Sequence, residues 1–232
     1  MLSPYRVLDL TARRGLLCGQ ILADLGADVI HVEPPGGADA RRIGPFAGDV
    51  PHPDRSLFWW SQTRNERAVT LDLDAPAGRD VLRRLVASAH FLIESDEPGA
   101  MAARDLAAES LLSLNPALVH VSITPFGQDG PKARWAEADL VLLAAGGPLF
   151  LTGDEDRPPV RLPVPQAWFH AAAEAAVGAM IAHHERQRSA AGSTSTCPRS
   201  RRWRWRRSPT SSAPRSGRRR CGAWPAASST AS

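Results

Sequence analysis

Apolar residues along this chain alternate between two spacings. Arg6 to Leu10 is a short run of β-formers, Leu16, Leu17, Ile21, Leu22 and Leu25 then recur at helical spacing, and Asp28 to Val32 is again a short apolar run. The pattern predicts one βαβ unit within Tyr5 to Gly37. Such a crossover is right-handed, its strands lie parallel in a helix-covered sheet, and ligands gather beyond the carboxyl ends of the strands. Here those ends carry Thr11 to Arg14 and Glu33 to Gly37.

Ala38 to Arg55 is polar and rich in Gly, Pro and Asp, which predicts a long loop over that edge. It holds Arg41 and Arg42, and a loop guanidinium can fork onto two phosphate oxygens or simply be a solvated charge. Leu57 to Trp60 (LFWW) is an apolar cluster suited to core or subunit contact. Ala68 to Leu73 alternates as a strand, Asp74 stands where it can cap the next helix, and Pro76 falls in that helix's first turn. Val81, Leu82, Leu85 and Val86 form its buried side. Phe91 to Glu94 and Leu118 to Thr124 are further strands, with two short helical stretches between them. Gly127 to Pro131 is a turn, and Asp139 to Ala145 is a helix broken by Gly146-Gly147. Gln166 to Arg188 is the longest helical pattern, with Phe169, Ala173, Ala176, Val177, Met180 and Ile181 expected on its buried side. This order implies an α/β fold with a doubly wound, Rossmann-like parallel sheet.

Composition changes the picture in one respect. The chain of 232 residues is 43% apolar, which is ordinary for a globular domain, and its net charge is +4. Ten of the 28 basic residues lie beyond Gly192 with no acidic residue among them, so residues 1–192 carry 18 basic and 24 acidic groups and a net charge of −6. A nucleic-acid partner inferred from the whole chain would rest on the tail alone. No stretch reaches the ~18 apolar residues of a membrane span, and the N-terminus lacks the basic-then-apolar order of a signal peptide. A cytoplasmic protein without membrane association is therefore expected. Cys18, Cys197 and Cys221 are odd in number and show no metal-type spacing, so neither a disulfide framework nor a metal site is expected.

Arg6 to Thr11 (RVLDLT), Leu22 to Glu33 (LADLGADVIHVE) and Pro34 to Gly37 (PPGG) resemble the opening of the family III CoA-transferases. These are CaiB/BaiF-type proteins that include carnitine, bile-acid and formyl-CoA transferases and α-methylacyl-CoA racemases. Asn65 to Gly78, Asn115 to Pro131, and Gly146 to Pro159 match later blocks in the same order, so the resemblance spans Tyr5 to Gly192. It implies acyl-CoA as substrate, no metal, and an N-terminal Rossmann-like domain, residues 1–192, belonging to a larger fold. In that fold two subunits thread through each other, as a homodimer or as a heterodimer with an active paralogue. About half of that fold would be missing.

The resemblance also implies a mechanism: a carboxylate attacks the acyl-CoA thioester, and the resulting anhydride passes the acyl group between CoA carriers. That carboxylate lies ten residues before the glycine of a Gly-Ile-x-Ala-Ala-type helix. Here the glycine is Gly178 and the position is Trp168. Gln166, Ala167, Phe169 and His170 are not carboxylates, and Glu174 lies about 9 Å further along the helix. His170 is the nearest group capable of acid–base work; its alternative reading is a structural helix histidine. The racemase-type histidine position is Ala138. Positions that contact CoA in the family fall on Pro34, Leu71, Asp74, Ser95, Asp96, Ala103, Ala136 and Ala138, and Leu71 keeps an apolar character there. Arg13, Arg14 and Arg41 are the candidate phosphate contacts, alongside Leu71. Adjacent His183 and His184 point about 100° apart on a helix and make a poor metal pair.

Two other classes have a foothold. Glu33 after the second strand imitates the ribose-binding carboxylate of an NAD-type Rossmann oxidoreductase, but Thr11 to Gly19 (TARRGLLCG) is not a G-x-G-x-x-G loop. Arg/Trp-rich Arg201 to Arg207 would suit a nucleic-acid-binding arm. Residues 193–232, however, contain no Leu, Ile, Val, Met or Phe, and are expected to be a disordered, out-of-frame extension. Family members continue after the glycine with Gln-x-Val-Asp-Val. Codons can be written for Gly192 to Cys197 that give Gln-His-Val-Asp-Val when read two bases later. An independent nucleotide read from Arg188 to Arg207 is expected to show an insertion or deletion; an unambiguous read in the present frame would contradict that origin.

Overall fold

The computed structural model describes residues 1–154, 156–189 and 193–198. Six parallel strands form one sheet in the order β3-β2-β1-β4-β5-β6: β1 is Arg6–Leu10, β2 Asp28–Glu33, β3 Arg67–Thr70, β4 Phe91–Glu94, β5 Val119–Thr124 and β6 Ser193–Pro198. Order reverses between β1 and β4. That is the switch point at which the loops leaving neighbouring strands diverge and leave a crevice.

Helices cover both faces. Val7, Val29, Phe91, Ile93, Val121 and Ile123 point to the side of α1 (Leu16–Asp24) and the long C-terminal α7 (Gln166–Ser189). Leu8, Val32, Leu92 and Leu118 point to the other side, against Leu82 and Val86 of α3 (Pro76–Val86) and Leu111 of α5 (Ala108–Leu114). Short helices α2 (Leu57–Gln62), α4 (Ala100–Ala103) and α6 (Asp139–Gly146) complete the framework. Among the described residues no helix is long and apolar enough to cross a membrane.

Several local expectations are corrected. The loop of residues 38–55 contains three short 3-10 turns rather than irregular coil throughout. Asp74 does not cap α3, whose N-cap is Ala75 without a side-chain bond; the Asp74 carboxylate is held by Arg104. On α7 the buried face is Ala171, Ala172, Ala175, Ala176 and Ala179, while Val177 and Ile181 are 51% and 60% exposed. Small side chains let this helix lie close on the sheet, and that outweighs hydrophobicity in choosing its inner face. Residues 193–198, expected in the disordered tail, instead form β6 and pair in parallel with β5 from Val119↔Ser193 to Thr124↔Pro198. A strand can be held by its backbone ladder alone, and two β-branched threonines favour it. The tail beyond Pro198, with Trp203, Trp205 and Cys221, lies outside the described residues.

Asn115 joins the two halves of this framework. Its amide nitrogen donates to the carbonyls of Val86 and Ala89, both at 2.8 Å, and its amide oxygen accepts from Ala117 at 3.2 Å. Replacing Asn115 by Ala is expected to cost about 1–3 kcal/mol by removing the amide donor to the Ala89 carbonyl and one of two donors to the Val86 carbonyl. Urea denaturation would read this as a lower midpoint at unchanged slope.

Candidate functional site

The carboxyl edge of the sheet opens into two clefts, each of about 460 Å³. One lies over β1, β2 and β3 and is lined by Thr11, Glu33, Leu71, Asp74, Asp96 and Arg104, among others. The second lies over β4 and β5, with Glu94, His120, Ser122, Gln128 and Arg134 in its wall. The turn after β1 separates them and is fixed by two short bonds: Thr11 N–H to Asp9 Oδ1 at 2.7 Å and Ala12 N–H to Ser95 Oγ at 2.8 Å.

Arg13, Arg14 and Arg41, singled out in the sequence, lie beside the first cleft rather than among its lining residues, and each meets an anion within the protein. Arg41 grips Glu33 with two bonds, Nε to Oε2 at 2.6 Å and Nη2 to Oε1 at 2.7 Å, and its plane lies 4.3 Å over the Trp59 ring. Burial would raise the Glu33 carboxyl, but the Arg41 bonds and the Ala38 amide outweigh it and hold the group below its ordinary range. This fork therefore faces a side-chain carboxylate rather than open cleft. Arg13 stacks 4.9 Å over the Trp168 ring and approaches Asp39 at 3.9 Å. Arg14 bonds Glu97 at 2.7 Å and Glu137 at 2.6 Å. Leu71 lines the cleft.

Sequence reasoning missed Arg104. It donates to Asp74 at 2.7 Å and to Asp96 at 2.9 Å, bridging the β3 and β4 ends of the cleft. Burial raises the Asp96 carboxyl, with Arg104 opposing, and the Asp74 bond raises Arg104 itself. Only the neighbouring position, Ala103, was matched to the family pattern, and nothing in the local sequence marks this arginine as inward-facing.

The head of α7 closes the region beside the β1 turn. Asp139 Oδ1 accepts the Ala167 N–H at 2.8 Å, so a buried carboxylate from α6 caps α7 one residue before Trp168. Trp168 packs against the cluster of Phe126, Leu142, Leu143 and Ala167. His170, two residues on, is exposed. The structure thus brings Arg13 and Trp168 together and leaves His170 on the outer side of the helix.

In the second cleft Ser122 hydrogen-bonds the Glu94 carboxyl group, and His120 is not its partner. Both ring nitrogens of buried His120 lack a hydrogen-bond partner, and Ser122 Oγ instead accepts from Gln128 at 2.5 Å. Burial pushes His120 down to about 4, which keeps it neutral. Burial also pushes the Glu94 carboxyl up to about 7, against the opposing bonds from Ser122 and the Asp96 amide.

A parallel α/β sheet with clefts at the carboxyl ends of its strands, beside a switch point, is the class of fold in which ligands gather at that edge. The model of the family described as CoA-transferase family III matches residues 2–198, and the chain belongs to that family. It is 41% identical over 190 residues to the succinyl-CoA:(R)-benzylsuccinate CoA-transferase subunit BbsE of Thauera aromatica, covering 82% of this chain and 46% of that protein. To the succinyl-CoA–D-citramalate CoA-transferase of Chloroflexus aurantiacus it is 40% identical over 192 residues, covering 82% and 47%. A solved CAIB/BAIF family protein from Brucella suis superposes with a TM-score of 0.77 at 34% identity, over 83% of this chain and 51% of that one. The chain spans about half the length of these relatives.

The Glu94 shift has a definite sign. Its folded value of about 7 lies above its ordinary 4.5, so the folded state holds the proton more tightly and the group's contribution to stability falls as pH rises from 4.5 to 7. Glu94→Gln is expected to leave stability at pH 4.5 little changed and to raise it relative to the parent at pH 8. Thermal midpoints of both proteins across that range would show the difference opening with pH.

Proposed function

We propose that this chain binds acyl-CoA across the cleft over β1, β2 and β3 and serves as the non-catalytic member of a CoA-transferase pair. A partner chain supplies the carboxylate that attacks the thioester. The observation that carries this reading is Trp168 at the head of α7, the position the family resemblance assigns to that carboxylate.

The chemistry needs a group that can attack a thioester carbonyl and then leave from the anhydride. An indole does neither. The surrounding groups are committed otherwise: Asp139 caps α7 through Ala167, and His170 faces away on the exposed side. Glu174 is six residues further along, about 9 Å by helical rise. Similarity to a relative named as a subunit of a CoA-transferase supports the same reading.

Within the cleft, Leu71 offers an apolar wall for the adenine, and Arg104 is the cation nearest the floor. A phosphate entering there competes with Asp74 and Asp96 for the guanidinium, so binding is weaker than at a site with an unshared arginine. Arg13 over Trp168 sets the boundary between the CoA channel and the head of α7.

Incubation of the full chain with succinyl-CoA, followed by intact-mass measurement after hydroxylamine quench, is expected to show no acyl or hydroxamate adduct on this chain. Equilibrium dialysis is expected to show reversible binding, weakened about tenfold or more by Arg104→Ala. An acyl adduct on a residue of this chain would overturn the non-catalytic assignment, and the absence of any binding would overturn the acyl-CoA site.

A further inference from the structure

One polar cluster lies inside the protein beneath the first cleft, whose lining includes His31. Asp9 of β1 and His31 of β2 are direct neighbours in the parallel register and share the face covered by α1. Val7 and Val29, the preceding residues on that face, are core. Glu66, in the connection just before β3, reaches the same point. The three side chains are 0%, 2% and 1% exposed.

Their polar atoms converge at separations longer than a hydrogen bond. Asp9 Oδ2, His31 Nδ1 and both Glu66 carboxylate oxygens have no hydrogen-bond partner, while Asp9 Oδ1 is engaged by the Thr11 amide. His31 Nδ1 stands 3.8 Å from Asp9 Oδ2 and 3.6 Å from Glu66 Oε2, and one ligand atom from each residue can be chosen so that all lie within 4.8 Å of one another. The lid is Gly19 of α1: a Cβ there would fall 1.9 Å from Asp9 Oδ2 and 3.0 Å from Glu66 Oε1, so only a glycine leaves the space open. The Trp59 ring closes the side at 5.2 Å from the imidazole.

We propose that Asp9, His31 and Glu66 form a buried site for a divalent transition-metal cation of the zinc class, which ties β1 and β2 to the segment entering β3. Two carboxylates and a neutral imidazole around a dication make a neutral unit, the cheapest way to bury these groups together. A cation about 2.0–2.2 Å from each donor in tetrahedral geometry holds those donors roughly 3.3–3.6 Å apart, close to the 3.8 and 3.6 Å that separate His31 Nδ1 from the two carboxylates. A mixed oxygen–nitrogen donor set with one imidazole suits zinc, manganese or iron rather than calcium. With the interior sealed, the ion is structural rather than catalytic. No pair of these residues lies at a local metal-ligand spacing, so the expectation of no metal site could not have registered them. They meet only through strand register.

Without an ion, the buried Glu66 carboxyl is disfavoured as an anion. Burial, then the charges of Asp9 and Asp24, push Glu66 up to about 10, so it carries a proton at neutral pH. Metal binding must displace that proton. Asp9, Asp24 and His31 are the titratable groups facing Glu66 from α1, β1 and β2.

Cobalt(II) is the probe, titrated into the full metal-free chain and followed by its visible d–d band, with zinc as competitor. The expected result is one ion per chain, displacement of the band by zinc, and release of about one proton per ion, read calorimetrically in two buffers of different ionisation enthalpy. Glu66→Gln, nearly isosteric, and Asp9→Asn are each expected to weaken binding at least tenfold while retaining the far-ultraviolet circular dichroism of the parent. Failure of the parent to bind overturns the proposal. So does binding unchanged in Glu66→Gln, which would place the ion on other histidines.

Discussion

The structure depends on β1 lying in register between β2 and β4, with Leu8 opposite Ile30 on one side and Leu92 on the other. A strand has two faces and a period of two, so this register sends Val7 and Asp9 toward α1 and sends Leu8 and Leu10 toward α3. A slip of one residue would turn the Asp9 carboxylate into the apolar layer on the α3 side of the sheet. The same register brings the ends of β1, β2, β3 and β4 to one edge. Glu33, Leu71, Asp96 and the β1 turn can therefore line one cleft although they are distant in sequence.

At that edge the protein meets itself with charge. Arg41 is held by Glu33 and Asp54, Arg104 by Asp74 and Asp96, and Arg14 by Glu97 and Glu137. These pairs organise the loops over the strands, and they also set the terms on which an anionic ligand enters. Each phosphate must draw a guanidinium partly away from a carboxylate. The head of α7 follows the same economy: Asp139 is committed to capping, and the neighbouring position is an aromatic ring under Arg13 rather than an acid.

Much of this was legible in the sequence because it is written in periodicity. The opening βαβ unit, α3 with Pro76 in its first turn, and the strands Phe91–Glu94 and Val119–Thr124 follow from apolar spacing and turn residues. Of the positions to which the resemblance pointed, Leu71, Asp74 and Asp96 line the first cleft. Other features arise from tertiary competition that no local pattern records. Asp74 is a good cap by type, yet Arg104 takes its carboxylate from across the cleft. Val177 and Ile181 fit an apolar helix stripe, yet the close approach of α7 to the sheet selects alanines. The strand at Ser193–Pro198 comes from a segment without large apolar residues, because a sheet edge recruits backbone. Asp9, His31 and Glu66 carry no motif at all; register alone assembles them.

In the proposed function acyl-CoA occupies the cleft over β1, β2 and β3. Hydrogen–deuterium exchange of the full chain with and without succinyl-CoA locates the ligand. Added protection of the backbone is expected at Thr11–Arg14, Leu71–Asp74 and Ser95–Arg104, with the β4–β5 cleft around Gln128 and Arg134 unchanged. Protection confined to that second cleft, or none at either edge, would contradict it.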